Sequence, residues 1–412
     1  MDLFYIITFL ICISAIFAYL NVRFLKLPST IGLMLIAIIF SLCLFVVGFI
    51  SPAIFNHIKK AVDLVDFSTV VLDVMLCFLL FAGAMHTNFD ALKENRKSIL
   101  LFAVISTLLS TFFMAGILYG VCILLQFPVA FIYCLLFGAL VSPTDPIAVL
   151  GILTKANVPE KAEINIVGES LFNDGIGVVL FLTLLSIYNN GIENTSAADI
   201  GVLLLEEVGG GLVLGLVLGA AIYYLLKSID HYETELLITL AIVMGGYVLA
   251  DSIHVSGPLA VVVAGLMTGH HSKNEAMSDR TKDNIDQFWH LLDVLMNALL
   301  FVMIGLRVLT LEFKAVYFWI ALFIIPAVVI ARYISLQMPF QLFKRRINID
   351  NKTLLIMTWG GLRGGLSIAM ALSLANEAPK EMLVFITYGV VLFSIVVQGL
   401  TVGKVARRIY SK

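Results

Sequence analysis

Long apolar runs separated by short polar stretches fill the chain almost from end to end. A helix needs about 20 consecutive apolar residues to cross a bilayer. Read at that length, the pattern predicts thirteen membrane-spanning helices, at roughly 3–21, 30–50, 64–85, 98–125, 128–153, 163–188, 200–226, 234–252, 257–269, 285–306, 315–337, 353–374 and 382–403. The ninth is short and follows Gly257-Pro258. The longest polar loop lies over about 270–284, so residues 1–412 read as a single transmembrane domain with no soluble domain. The first apolar run starts at Leu3 and has no positive residue before Arg23, unlike a secretory signal, so it is expected to be the first span.

The positive residues test this division. With the C-terminus cytoplasmic, nineteen of the 26 Lys and Arg fall in inner loops and five in outer ones. That asymmetry follows the positive-inside rule and puts the N-terminus outside. Composition then narrows the class. The chain is 60% hydrophobic and 13% charged, with a net charge of −2. These values exclude an ordinary soluble globule, a disordered chain and a nucleic-acid binder. Cys12, Cys43, Cys77, Cys122 and Cys134 all lie in apolar runs at no metal-ligand spacing, so they are expected to pack as small hydrophobes without disulfide or zinc. Asn194-Thr195-Ser196 matches a glycosylation sequon in an outer loop, and chance is the simpler explanation.

Two spans are interrupted. The fifth contains Ser142-Pro143-Thr144-Asp145-Pro146, and two prolines three apart cannot hold a continuous helix. The twelfth contains Gly360-Gly361-Leu362-Arg363-Gly364-Gly365, which loosens the backbone in a similar way. Irregular backbone at membrane depth is tolerated only where it is buried in protein or lines a cavity. Spans five and twelve run in opposite directions. If spans 1–6 and 8–13 are six-helix repeats, those repeats are inverted, and matched interruptions in two inverted halves point to the binding site of a secondary transporter.

Intramembrane charges sharpen this picture, because each costs at least about 2.5 kcal/mol at the bilayer centre. They are Asp73, Asp145, Glu169, Asp174, Asp293, Arg332 and Arg363. In Gly168-Glu169-Ser170-Leu171-Phe172-Asn173-Asp174-Gly175, helical spacing puts Ser170, Asn173 and Asp174 on one face, with Glu169 beside it. Asp174 and Asp145 supply carboxylates, and Thr144 and Ser170 supply hydroxyls. The unwound backbone at Thr144 frees carbonyls. An oxygen-only set suits a hard cation rather than zinc or copper. Burial favours a carboxylate's neutral form, so Asp174 is also expected to take up a proton. A site that holds a cation or a proton, but not both, exchanges one for the other. Glu169 and Arg363 are expected to form a buried ion pair joining span six to the break in span twelve, as scaffold rather than ligand.

These three motifs, with Phe393-Ser394-Ile395-Val396-Val397-Gln398-Gly399-Leu400-Thr401 in span thirteen, resemble the cation:proton antiporter-1 family. The likeness is to its prokaryotic NhaP-type sodium/proton antiporters and to the eukaryotic sodium/hydrogen exchangers, and it covers nearly the whole chain. The resemblance implies a homodimer of thirteen-span protomers. In each, a core of spans 4–6 and 11–13 moves against a dimerisation scaffold. It also implies that Asp174 binds cation and proton with Asn173 as partner, that Thr144, Asp145 and Ser170 coordinate Na+, and that Glu169 pairs with Arg363. The Asn173-Asp174 order implies electroneutral exchange of one cation for one proton, in a role such as pH homeostasis and without a cofactor. Two departures stand out. Ala82, in Phe78-Leu79-Leu80-Phe81-Ala82-Gly83, occupies a position where many relatives have Glu. The long tail of the eukaryotic exchangers is missing, which favours a prokaryotic inner-membrane protein.

Weaker features have plainer readings. Gly211, Gly215 and Gly219 permit close helix packing in span seven. His270-His271 reads as a solvated loop pair or a pH sensor, and His254 with Asp251 reads as structural. Asp73 and Asp293 could line a pathway or serve the scaffold. Arg332, drawn near the cytoplasmic end of span eleven, is expected to snorkel. The competing functions are a K+/H+ antiporter of the same fold, a passive cation channel and an intramembrane aspartyl protease. A channel needs repeated subunits around a pore. A protease gives no role to Glu169, Arg363 or Asn173. The chain therefore reads as a transporter, not an enzyme.

Overall fold

A computed structural model describes residues 3–63, 66–145, 149, 153, 156, 158–190, 197–273, 276–344, 347, 349–374 and 378–410. The second half of the fifth expected span, from Pro146, and the Asn194 sequon lie largely outside the described residues. The described chain is helical: α1 (Leu3–Leu20), α2 (Ser29–Ile50), α3 (Pro52–Asp63), α4 (Phe67–Met85), α5 (Phe89–Leu124), α6 (Phe131–Val141), α7 (Glu160–Asn190), α8 (Ala197–Lys227), α9 (Tyr232–Ser252), α10 (Gly257–Met267), α11 (Asp279–Arg307), α12 (Ala315–Phe343), α13 (Asn351–Trp359), α14 (Gly365–Ser373) and α15 (Pro379–Tyr410). Among the described residues, ten stretches are long and apolar enough to cross a membrane. The fifth, ninth and twelfth expected spans correspond to shorter pieces: α6, α10, and α13 with α14.

Several helices run past the apolar segment that marks them, because capping residues sit further out. Ser278 accepts from the Thr281 N–H (3.4 Å), so α11 begins several residues before its apolar stretch. Asn88 does the same for α5 through the Ala91 N–H (3.2 Å). At α12 the helix continues to Phe343, about 43 Å at the ordinary rise per residue. Arg332 therefore lies inside the helix and is 2% exposed; it does not snorkel. Pro339 in the same helix has no N–H to offer the Ser335 carbonyl. The Ser106 hydroxyl of α5 donates to that carbonyl instead, at 2.8 Å.

The outside of the molecule is apolar, as lipid requires: Phe49, Ile50, Leu205 and Phe4 are among its most exposed side chains. The glycine stripe of α8 serves packing. A Cβ at Gly211 would sit 2.7 Å from the Ser256 carbonyl oxygen, and one at Gly215 would sit 2.6 Å from that of Ala260. The five cysteines are free. His270 and His271 lie in a π-helical turn that continues α10, not in an open loop, and the His270 ring stacks on Phe89 at 4.7 Å.

Candidate functional site

The site begins where two helices stop. α6 ends at Val141, ahead of Pro143, and α13 ends at Trp359, ahead of the Gly360–Gly361 pair. Their extended continuations cross. The Asp145 N–H donates to the Leu362 carbonyl at 2.7 Å in an antiparallel bridge, so the two interrupted segments run in opposite directions. Gly364 makes the approach possible: a Cβ there would lie 2.5 Å from the Asp145 Oδ2.

Buried backbone groups released by the breaks need partners, and side chains supply them. Asn173 Oδ1 accepts from the Thr144 N–H (3.2 Å), while its Nδ2 donates to the Thr144 hydroxyl (2.9 Å) and to Glu169 Oε1 (3.1 Å). The Ser170 hydroxyl donates to the Thr144 carbonyl and lies 2.9 Å from the Thr144 hydroxyl. Arg363 Nη1 donates to the carbonyls of Ser142 and, at 2.7 Å, Pro143, at the carbonyl end of α6. A cation there also opposes the negative end of the helix dipole. The motif in α15 serves the other break. Ser394 accepts from the Arg363 N–H (2.9 Å), Gln398 donates to the Trp359 carbonyl (3.2 Å), and Thr401 accepts from the Trp359 indole (2.9 Å).

The expected Glu169–Arg363 pair is not what forms. Arg332 grips Glu169 with both arms of its guanidinium, Nη1 to Oε1 at 2.7 Å and Nη2 to Oε2 at 2.5 Å, with both side chains buried. Arg363 is drawn instead to the carbonyls left by the α6 break. Arg332 is the functional residue that the sequence reading misplaced. Its depth in α12 was the missing signal.

Asp174 and Asp145 face one cavity of about 70 Å³. Pro143 and the first residues of α14 wall it on one side, and Asn297 and Leu300 of α11 on another. The positive N-terminal end of α14 thus faces the carboxylates. Among the described residues no hydrogen bond reaches the Asp174 carboxylate. Thr144, Ser170 and Asn173 stand behind the cavity, bonded to one another. Ala82 is buried outside it, and Asp73 does not line it either. Asn297 carries no charge and was not singled out from the sequence.

Crossed, unwound segments inside antiparallel helices, with two carboxylates beside the crossing, are the construction of an inverted-repeat secondary transporter. The chain belongs to the sodium/hydrogen exchanger family: the family model described as "Sodium/hydrogen exchanger, transmembrane" matches residues 11–408. It is 43% identical to the Na(+)/H(+) antiporter NhaP of Pseudomonas aeruginosa over 409 residues, covering 97% of this chain and 96% of that one. It is 32% identical to the Na(+)/H(+) antiporter NhaH of Halobacillus dabanensis over 392 residues, 94% of this chain and 93% of the relative. The fold matches that of the sodium proton antiporter MjNhaP1 from Methanocaldococcus jannaschii, with a TM-score of 0.76, 21% identity and full coverage of both chains.

Proposed function

We propose that this chain exchanges Na+ for H+ across a bacterial cytoplasmic membrane, one for one, through competition of cation and proton at Asp174. The observation that carries this reading is the cavity shared by Asp174 and Asp145 beside the crossing of the two breaks. The two carboxylates hold the cation. The Thr144 and Ser170 oxygens join them by exchanging their mutual hydrogen bonds for ion contacts, and Asn173 keeps the unwound backbone in place. Glu169 and Arg332 brace the site. The protomer works in a homodimer, N-terminus outside and C-terminus cytoplasmic, with spans 4–6 and 11–13 moving against the rest. The positive-inside distribution supports that orientation.

Proton flux in proteoliposomes under imposed Na+, Li+ or K+ gradients tests the reading and identifies the ion. Flux is expected with Na+ and is expected to vanish in Asp174→Asn, whose amide neither titrates nor neutralises a cation. Flux only with K+ would reassign the substrate. Full exchange by a folded Asp174→Asn variant would remove Asp174 from the mechanism.

A further inference from the structure

One face of α11 is polar over most of its length. Asp283, Asp286, His290, Asp293 and Asn297 follow one another at spacings of three and four, which aligns them on a helix. Asp283 and His290 are exposed, Asp286 is half-buried and paired with Lys273, Asp293 is half-buried, and Asn297 is 5% exposed in the wall of the Asp174 cavity. Beyond it the helix is closed by buried apolar residues, Leu300 to Leu306. Asp293 lies within the apolar part of the helix, where a charge facing lipid would be costly. The stripe descends from the end of α11 near His86, whose imidazole lies 3.7 Å from Asp286, and that end is cytoplasmic in the orientation given above.

Asn297 ends the stripe in an unusual state. Its Nδ2 donates to both the Asp293 carbonyl and the Asp293 Oδ1, each at 2.9 Å. Reversing the amide would set its oxygen against those two acceptors, so the orientation is fixed. Its Oδ1 is then buried with no hydrogen-bond partner among the described residues. A buried acceptor left alone costs about 1–3 kcal/mol. The charged groups in the same cavity, Asp174 and Asp145, are acceptors when ionised and offer it nothing. A cation in the cavity satisfies the Asn297 oxygen and the Asp174 carboxylate together.

We propose that Asn297, presented by Asp293, is a ligand to the transported cation, contributed by the scaffold and available only while the core faces the cytoplasm. This rests on the antiport reading and its moving core. A core that carries Asp174 away from α11 leaves Asn297 behind, so the ion loses one oxygen on the way out. Cation affinity is therefore higher on the cytoplasmic side, which favours capture there and release outside. Asp293 is a positioning residue, needed for the acceptor that holds the amide.

The test uses the full chain in inside-out and right-side-out membrane vesicles, with Na+ as the probe. Wild-type Na+-dependent proton flux comes first, and its absence refutes the antiport reading itself. Given that flux, Asn297→Ala is expected to raise the KM for cytoplasmic Na+ about tenfold, as for one lost contact to a charged group. The KM for external Na+ should stay within about twofold. Asp293→Ala should act in the same direction. Asp293→Asn, which keeps an acceptor oxygen, should restore the cytoplasmic KM. If Asn297→Ala does not fold, the two Asp293 variants carry the test, because they leave the amide in place. Equal changes on both sides, no change on either side, or failure of Asp293→Asn to rescue would each overturn the proposal.

Discussion

At the scale of single residues, the sharpest finding is which arginine holds Glu169. A bidentate pair with both partners buried is expensive to break from one side, typically about 3–5 kcal/mol, because the remaining charge is stranded. Glu169→Gln and Arg332→Gln are each expected to lower thermal stability strongly. The double variant should lose less than the sum, with a coupling of at least about 1 kcal/mol. Glu169→Gln combined with Arg363→Gln should show far weaker coupling, because Arg363 is bonded to the Ser142 and Pro143 carbonyls. Thermal unfolding of the three single and two double variants in detergent decides the matter, and stronger coupling to Arg363 would reverse the assignment. The sequence made the charged residues conspicuous, since carboxylates in apolar runs need a reason. It could not pair them. Glu169 and Arg332 are 163 positions apart, and their meeting depends on helix rotation and depth. Asn297 was invisible for a different reason: a neutral amide in an apolar stretch is an ordinary residue until its geometry shows an acceptor without a donor.

At the scale of elements, proline and glycine made the two interruptions legible, because their backbone effects are local. Neither the crossing nor its direction of pairing was local. The Asp145–Leu362 bridge requires both extended segments to reach the same depth. Helix ends were less legible than helix positions, since caps such as Ser278 and Asn88 lie outside the apolar runs. Close packing of α8 on α10 was readable from the glycine spacing, and it carries its own prediction. At Gly215 a Cβ would meet the Ala260 carbonyl oxygen at 2.6 Å, and backbone cannot rotate away as a side chain can. Gly215→Val is expected to destabilise the protein by about 1–3 kcal/mol through overpacking. Gly201→Val, on the same helix with open space around it, should be nearly silent. Equal melting temperatures for the two variants would remove the close-packing role from Gly215.

At the scale of the whole molecule, the charges of the proposed moving core set what can cross. Its intramembrane groups are Asp145, Glu169 and Asp174 against Arg332 and Arg363, a net charge of −1 when all are ionised. One Na+ or one proton brings that sum to zero, so the two loaded forms carry the same charge through the membrane. The empty form keeps a net charge at membrane depth, which costs at least about 2.5 kcal/mol and holds it back. Tight coupling and electroneutral exchange then have the same origin. Asp293 does not enter this sum, because α11 lies outside the proposed moving core. With the potential clamped by potassium and an ionophore, the final pH gradient driven by a fixed Na+ gradient is expected to be the same at zero and at an inside-negative potential. If a second proton moved with each Na+, one net charge would cross per cycle, and about 2.3 kcal/mol per 100 mV, shared between two protons, would shift the proton ratio at that end point about sevenfold. A shift of that size would mean that a second core carboxylate, with Asp145 the one beside Asp174 in the cavity, also carries a proton.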